Sequence, residues 1–195
     1  MAGKGLKKAK YNQIDTQTKK YKTLTDSKVP LLEKIIESKF SPEYNNAELY
    51  ADDALAESDY SFKKGTLSIV VADDKDEVCA ELLGNDVSEE NEVTSNVNDT
   101  APECGFGHIV PKIVNGIKKY KVEFFPRVKF TKITTDRKTK GESIEFATTN
   151  IEATVFPLSE AINGLEIGDW EKHKTFATET EAETYLDTLL TPSVS

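Results

Sequence analysis

Hydrophobic and polar residues alternate through much of the chain, a pattern typical of antiparallel strands with one buried face. The clearest example is Gly65 to Ala72, where Leu67, Ile69 and Val71 occupy every second position. The same reasoning predicts an opening strand near Gly5 to Ile14. The pattern therefore predicts a chain that is mostly β.

The dipeptide Asn115-Gly116 is the strongest hairpin signal in the chain. It joins HIVPKIV to IKKYKVEFF, and a type I′ turn favours it because both central residues need a positive φ. After the turn, Val122 and Phe124 alternate with charged residues, which predicts one buried and one solvated face. A third strand is predicted over Arg127 to Thr134.

Two prolines and one long segment predict irregular pairing. Pro111 and Pro126 belong at strand starts, bulges or edges, because proline has no N–H to give to a ladder. Ser143 to Phe156 is predicted as a strand whose apolar positions change parity. That change predicts a bulge or bend near Thr148 to Asn150.

A short helix is predicted from Asp74 to Leu83. Asp74 caps it in this interpretation, Glu77 completes a capping box, and Gly84 supplies the left-handed residue that ends it. The apolar face pairs residues one turn apart, Val78 with Leu82 and Cys79 with Leu83.

A second helix is predicted close to the end of the printed sequence. A strand over Trp170 to Phe176 precedes it, and Thr178 with Glu181 forms a capping box. We expect its apolar side to lie against its own subunit, a neighbouring subunit being the alternative. That side consists of Tyr185, Leu186, Leu189 and Leu190.

Three segments lack one clear period. Leu31 to Phe40 fits either a helix or a strand. Leu49 to Tyr60 is acidic and alanine-rich without any period, which predicts a loop that needs an outside partner to become ordered. Asn85 to Cys104 is polar throughout, which predicts a long exposed loop.

Composition narrows the class of protein. The 195 residues suffice for one domain with a substantial core, and 37% hydrophobic residues argue against a disordered chain. No apolar stretch approaches the roughly 20 residues that a membrane span needs. The basic N-terminal segment lacks the apolar region of a signal peptide, so we expect synthesis and use in a cytoplasm.

Charge is distributed in blocks of alternating sign. Residues 41–104 carry 17 acidic residues against 3 lysines, whereas residues 105–156 carry 10 basic residues against 5 acidic ones. Such blocks suit subunits that meet plus to minus, although a single block also fits a solvated loop. The net charge of −9, with lysines interleaved among strand residues, argues against a nucleic-acid site.

The residues that usually carry catalysis form no recognisable constellation. His108 and His173 both fall on predicted strands, without the spacing of a catalytic triad or a metal site. The acid pairs at 52–53 and 73–74 lack the glycine of a calcium loop, and no phosphate-binding glycine motif is present. We therefore expect no enzyme activity, no cofactor and no metal.

The two cysteines are expected to be free thiols. Cys79 falls on the first predicted helix and Cys104 in the polar loop. A disulfide is the alternative, but no export signal is present to take the chain to an oxidising compartment.

Several segments together resemble one protein family. They include LYADDALAES, GTLSIVVADDKDEVCAELLG, the block from Gly105 to Phe156 and the Trp-containing strand before the last helix. The chain resembles the major tail tube proteins of long-tailed phages (siphoviruses) of Gram-positive hosts, the phi-thirteen-type major tail protein family. The likeness covers nearly the whole chain and is weakest over Asn85 to Cys104.

The resemblance implies a single tail tube domain with a mainly β, antiparallel β-sandwich or barrel-like fold. One flanking helix and a short C-terminal helix accompany it. Residues 1–24 would be an N-terminal arm, 85–104 a variable acidic loop and 157–195 a C-terminal extension. Six copies would form a ring, and stacked rings would form the hollow tube through which the genome is delivered.

The resemblance also implies partners. They are further copies of the chain, a tape-measure protein, tail assembly chaperones and a tail terminator, with DNA passing through unbound and no membrane involved. The protein would be assembled in the host cytoplasm and belong to the virion.

From this resemblance, the segment from Leu49 to Lys64 is the candidate ring-stacking site. The candidate residues are Tyr50, Asp52, Asp53, Leu55, Glu57, Asp59, Tyr60, Lys63 and Lys64. A tail terminator or connector is the nearest alternative. A secreted or cell-surface β-sandwich that binds carbohydrate or protein is a further alternative, which would explain the strands and the single tryptophan, Trp170. It would need an export signal and an exposed aromatic platform, and neither is evident in the sequence.

Overall fold

The computed structural model describes residues 5–24, 28–32, 34–51, 54–72, 75–136 and 148–192. These residues form a mainly β, antiparallel fold with two helices. The strands are β1 (Lys7–Gln13), β2 (Leu31–Leu32), β3 (Ile35–Ala51), β4 (Ala54–Val71), β5 (Asp86–Val87), β6 (Val93–Thr94), β7 (Glu103–Val114), β8 (Ile117–Asp136), β9 (Thr148–Val155) and β10 (Lys172–Phe176). The helices are α1 (Asp76–Leu83) and α2 (Glu179–Leu190).

Eight strands form one antiparallel sheet. Their order is β2-β1-β7-β8-β9-β4-β3, and β10 also pairs with β8. The strands β5 and β6 form a separate small ladder. This confirms the predicted fold class, with one difference: in the described part of the chain β2 and β3 stand at opposite ends of the sheet, so no closed barrel forms.

The longest strand, β8, has different neighbours along its two halves. On one edge it pairs with β7. On the other edge, residues 120–124 pair with β10 and residues 128–136 pair with β9. The third predicted strand is therefore the second half of β8, not a separate element.

A bulge separates the two halves of β8. Pro126 and Arg127 together stand opposite one residue of β7, Gly105. One extra residue reverses the face to which all later side chains point. Phe125 and Val128, three positions apart, therefore point into the same core. Pro126 lies at a bulge as predicted, where the ladder is already interrupted.

The first core lies between the sheet and α1, and we call it the α1 core. Leu67, Ile69 and Val71 are fully buried in it, which confirms the alternation predicted for this strand. Its other large, fully buried side chains are Tyr11, Leu82, Phe106, Phe125, Phe130 and Ile151.

The second core, which we call the α2 core, lies on the other face of β7 and β8. α2 begins at the predicted capping box, in which Thr178 and Glu181 each accept a hydrogen bond from the other's backbone N–H. The buried side chains beneath it include Ile109, Val122, Phe124, Leu158, Leu186 and Leu190. The helix packs against other elements of its own chain, as expected.

Polar contacts fix α2 to β1. Lys10 is only 7% exposed, and its Nζ lies 2.9 Å from Glu183 Oε1 and 2.6 Å from Asp187 Oδ1. Asn12 Nδ2 donates a 2.8 Å hydrogen bond to the carbonyl oxygen of Leu190. Residues 7–13 are thus an integral strand of the sheet, as the predicted opening strand requires.

Two glycines let neighbouring groups approach β7 closely. A Cβ on Gly105 would lie 2.6–2.8 Å from the ring of Tyr21, and one on Gly107 would lie 2.5 Å from Leu186 Cδ1. The Tyr21 hydroxyl donates a 2.9 Å hydrogen bond to the carbonyl oxygen of Pro126. The ring of Tyr21 therefore fills the space that Gly105 leaves opposite the bulge, and its hydroxyl group binds the backbone of the bulge at Pro126.

Two predicted turns are confirmed, and one ambiguity is resolved. Asn115 and Gly116 have φ values of 52° and 78°, as the type I′ hairpin requires. Gly84 ends α1 with a φ of 77°. The ambiguous segment Leu31 to Phe40 contributes to strands β2 and β3.

The prediction of a loop over Leu49 to Tyr60 is wrong. Its described residues are strand, and β3 and β4 pair as far as Ala51 with Ala54. Backbone hydrogen bonds between paired strands do not require apolar and polar side chains to alternate. A strand without that alternation therefore cannot be recognised from the side-chain pattern. Asp52 and Asp53 lie outside the described residues.

The predicted start of the first helix also needs correction. The N-cap of α1 is Lys75, which makes no side-chain capping hydrogen bond. Glu77 is then the second helical residue, one position too early to complete a capping box. Asp74 lies outside the described residues.

The placement of Cys104 is a further correction. Cys104 is buried in β7 instead of lying in a polar loop, and both cysteines are free thiols as expected. The rest of the predicted loop is largely exposed and contains the small ladder of β5 and β6.

The predicted bend near Thr148 to Asn150 is absent from the part of β9 that pairs with β4. That pairing is regular from Thr149 to Val155. The preceding part of the predicted strand, residues 143–147, lies outside the described residues.

Substituting Gly105 tests the close approach of Tyr21. We expect Gly105→Ala to lower the free energy of unfolding by about 1–3 kcal/mol, because the added Cβ overlaps the ring. In a Tyr21→Ala background the same substitution should cost much less. Urea unfolding of the four proteins measures both effects, and equal costs in the two backgrounds would contradict this account.

Candidate functional site

The strands β3 and β4 extend beyond the rest of the sheet as a two-stranded hairpin. β4 pairs with β9 only over Gly65–Val71, whereas residues 54–64 pair with β3 alone. We call residues 43–51 and 54–64 the projecting hairpin. At about 3.3 Å per residue it reaches roughly 30 Å past Gly65. An isolated two-stranded hairpin is marginally stable in water, so contact with another surface would stabilise it.

Two register shifts interrupt the pairing in the projecting hairpin. Lys63 is the extra residue at the first and Ala56 at the second. Bulges increase the local twist of a ladder and make its edge a poorer template for uncontrolled pairing. Along the projecting hairpin, neither outer edge has a strand partner among the described residues.

An aromatic cluster holds the base of the projecting hairpin. Trp170 stacks on Phe62, with 4.1 Å between ring centroids and 12° between ring planes. Phe40 lies 5.6 Å from Trp170 and 4.8 Å from Phe125, and Tyr44 meets Phe62 edge-on at 6.1 Å. A continuous series of ring contacts therefore joins the hairpin to the α1 core.

This aromatic cluster is not predictable from local sequence. Its members lie on β3, on β4, on β8 and in the loop before β10, and local spacing does not bring them together. Gly65 was the available signal, because a Cβ there would overlap the ring of Phe40. A glycine within a strand often marks such a close approach.

Seven of the nine residues of the candidate ring-stacking site lie on the projecting hairpin. Tyr50 lies on β3; Leu55, Glu57, Asp59, Tyr60, Lys63 and Lys64 lie on β4; Asp52 and Asp53 lie outside the described residues. The site is thus strand where the sequence predicted loop.

Charge and exposure set the character of the projecting hairpin. Between Tyr44 and Phe62 its described residues include Glu48, Glu57 and Asp59 but no lysine or arginine. Tyr44 is 51% and Tyr60 63% exposed. By sequence this segment is therefore acidic, and two exposed aromatic rings lie at its base.

The histidines occupy different environments. His108 is buried in β7, and its Nε2 lies 3.3 Å from Glu123 Oε2. Its Nδ1 has no hydrogen-bond partner among the described residues. His173 lies on β10, its side chain 60% exposed and its Nδ1 3.7 Å from Glu171.

The carboxylate of Glu123 contacts two side chains of the sheet, those of His108 and Lys121. Its hydrogen bond with His108, together with the one it accepts from Lys121 at 2.7 Å, lowers the pKa of its carboxyl group to about 2. Glu123 therefore remains ionised and paired at neutral pH, which makes it a poor general acid or base.

Cys104 is another buried group that can be reactive in principle. Burial raises the pKa of the Cys104 thiol to about 12, so it is not a ready nucleophile. Within the described ranges no three His, Cys, Asp or Glu side chains are arranged to hold a metal ion. The same residues contain no helix long and apolar enough to cross a membrane.

Comparison with protein-family models and with curated proteins finds no match to this chain.

Replacing Trp170 tests the aromatic base. In Trp170→Ala we expect faster amide hydrogen exchange in residues 43–46 and 60–64, because the hairpin loses its stacking partner. Trp170→Phe is the matched control, since a smaller ring still stacks. Unchanged exchange in Trp170→Ala would show that the hairpin is held by other contacts.

The low pKa of Glu123 predicts acid sensitivity. A carboxyl group whose pKa is lower in the folded state stabilises that state above its unfolded pKa, and this contribution is lost as pH falls toward the folded value. Between about pH 4.5 and pH 2, wild type should lose stability more steeply than Glu123→Gln. Urea unfolding across this range measures the difference, and parallel curves would refute the assignment.

Proposed function

We propose that this chain is a major tail tube protein of a long-tailed phage. Rings of six copies stack into the hollow tube through which the genome is delivered. The projecting hairpin is the observation that carries the proposal. A two-stranded element reaching roughly 30 Å past its sheet has little stability alone and gains it by lying on another subunit.

The open edges of the sheet support self-assembly. β3 has β4 on one side and no strand on the other among the described residues. Unpaired strand edges invite association, and a closed ring of subunits pairs every edge without leaving one free for further growth. A ring built by edge pairing would turn open sheets into one continuous barrel.

Charge supports the proposed passage of DNA. A subunit with a net charge of −9 can present a negative channel wall, which repels phosphate instead of binding it. The tape-measure protein, tail assembly chaperones and a tail terminator would be the other partners. The role proposed is structural, without enzyme activity, and the site of action is the virion after assembly in the host cytoplasm.

The environment of Trp170 argues against a carbohydrate-binding module. Phe62 stacks directly on the tryptophan ring, and Phe40 lies beside it. A sugar platform needs a tryptophan face open to solvent, so these contacts favour a structural role. A tail terminator or connector remains the alternative, and single rings instead of long tubes would favour it.

Shortening the projecting hairpin tests the proposal. Asn45 lies opposite Ser61, so replacing residues 46–60 with Asn-Gly closes the hairpin with a type I′ turn while keeping the register. We expect wild type to form hollow tubes in negative-stain electron microscopy, and the shortened chain to remain folded without forming them.

Two results would count against the proposal. Tubes of normal length from the shortened chain would remove the hairpin from the stacking contact. Wild-type protein that stays monomeric at every concentration tested would contradict the assignment as a tube protein.

A further inference from the structure

The chain contains two Asn-Gly dipeptides, and both form the same backbone turn. The first, Asn115-Gly116, has φ values of 52° and 78°, and the second, Asn163-Gly164, has φ values of 46° and 74°. In each turn the residues on either side of the dipeptide pair with one another. The two sites therefore differ in their surroundings and not in their backbone conformation, which makes each a control for the other.

Asn163 is held by its side-chain amide. Its Nδ2 donates hydrogen bonds to the carbonyl oxygens of Leu189 and Thr191, at 3.0 and 2.7 Å, and so caps the C-terminal end of α2. The residues that flank this turn, Ile162 and Leu165, are both 4% exposed. Both the amide nitrogen and the turn are therefore fixed in the folded chain.

Asn115 has no such restraint. Its side chain is exposed and makes no hydrogen bond to any residue that the structure describes. Ile117, which follows the turn, is 63% exposed, and a cavity of about 210 Å³ that Gly116 helps to line opens beside it. Water therefore reaches both residues of this dipeptide.

The backbone nitrogen of Gly116 is the neighbouring nucleophile. The closing hydrogen bonds of a two-residue hairpin turn join the flanking residues, and the N–H of Gly116 has no backbone acceptor among the described residues. Residues 109–122 include four lysines and no acidic residue, and this positive environment stabilises negative charge on the nitrogen when its proton is lost. Glycine also has no side chain to obstruct the reaction.

We propose that Asn115-Gly116 is a site of spontaneous deamidation and that the fold protects Asn163-Gly164 from the same reaction. Hydroxide removes the proton of the Gly116 N–H, the nitrogen attacks Asn115 Cγ, and the new N–C bond closes a succinimide ring. The bond from Cγ to Nδ2 breaks, and Nδ2 takes up a proton from water and leaves as ammonia. In Asn163 that nitrogen donates the two hydrogen bonds to α2, so rotation and departure of the amide both require these bonds to break.

Water then opens the ring in one of two ways. Cleavage of the bond to Cγ gives aspartate, and cleavage of the bond to the backbone carbonyl carbon gives isoaspartate. Either product adds a negative charge beside the lysines of the turn. Isoaspartate also routes the chain through Cβ, and the added methylene is incompatible with a two-residue type I′ turn. The modification is independent of the proposed function.

Peptide mapping of protein aged at mildly alkaline pH in H₂¹⁸O tests the proposal. The peptide with Asn115 should acquire ¹⁸O and separate into aspartate and isoaspartate forms, at a rate that rises with hydroxide concentration. The peptide with Asn163 should convert at least about tenfold more slowly, the ratio that one or two hydrogen bonds of ordinary strength produce. In guanidinium chloride both peptides should convert at similar rates, because unfolding removes the hydrogen bonds of Asn163.

Asn115→Gly is the matched control, since Gly-Gly keeps a type I′ turn and carries no side-chain amide. Aged wild type should show faster amide hydrogen exchange over residues 112–119 than fresh protein, and aged Asn115→Gly should not. The proposal is overturned if Asn115 stays intact in the folded chain while it converts in guanidinium chloride. Conversion of Asn163 as fast as that of Asn115 in the folded chain would overturn it too, as would an equal ratio of the two rates before and after unfolding.

Discussion

The fold depends on one requirement, that the single strand β8 supply apolar side chains to cores on opposite faces of the sheet. A regular strand cannot place Phe125 and Val128 in the same core, because side chains alternate between faces. The bulge at Pro126 and Arg127 removes this conflict. Gly105 makes room for Tyr21 opposite the bulge, and Arg127 Nε and its terminal nitrogen hold Glu103 at 3.0 and 2.7 Å. The bulge is thus held both by Tyr21 and by the ion pair between Arg127 and Glu103.

The same point determines how the projecting hairpin is anchored. Phe125, the last residue before the bulge, contacts Phe40, which in turn contacts Trp170. The ring series begins where β10 gives way to β9 along β8, so the base of the hairpin lies at the junction of the two halves of the sheet. The projecting hairpin is thereby attached at the irregular point of β8, while along the hairpin neither outer edge has a strand partner in the part of the chain that the structure describes.

Features encoded within a few residues were predictable from the sequence. The Asn115-Gly116 turn and the Thr178 capping box need only their own neighbours, and both are present. Features that depend on a distant partner were not. The strand character of Leu49 to Tyr60 arises from pairing with its opposite strand, and the burial of Cys104 arises from sheet order. The ring cluster at Trp170 combines residues from three strands and one loop, and no local periodicity in the sequence indicates it.

The contacts between β1 and α2 have a consequence for synthesis. Lys10 and Asp187 are 177 positions apart, and Asn12 and Leu190 are 178 apart. A ribosome that has reached residue 178 has made every described strand, yet Lys10 still lacks both of its carboxylate partners on α2. Asn12 likewise lacks the carbonyl oxygen of Leu190, so β1 cannot complete its packing before α2 is translated. A chain stopped before these residues therefore leaves the polar side chains of β1 without the groups that bind them in the folded structure.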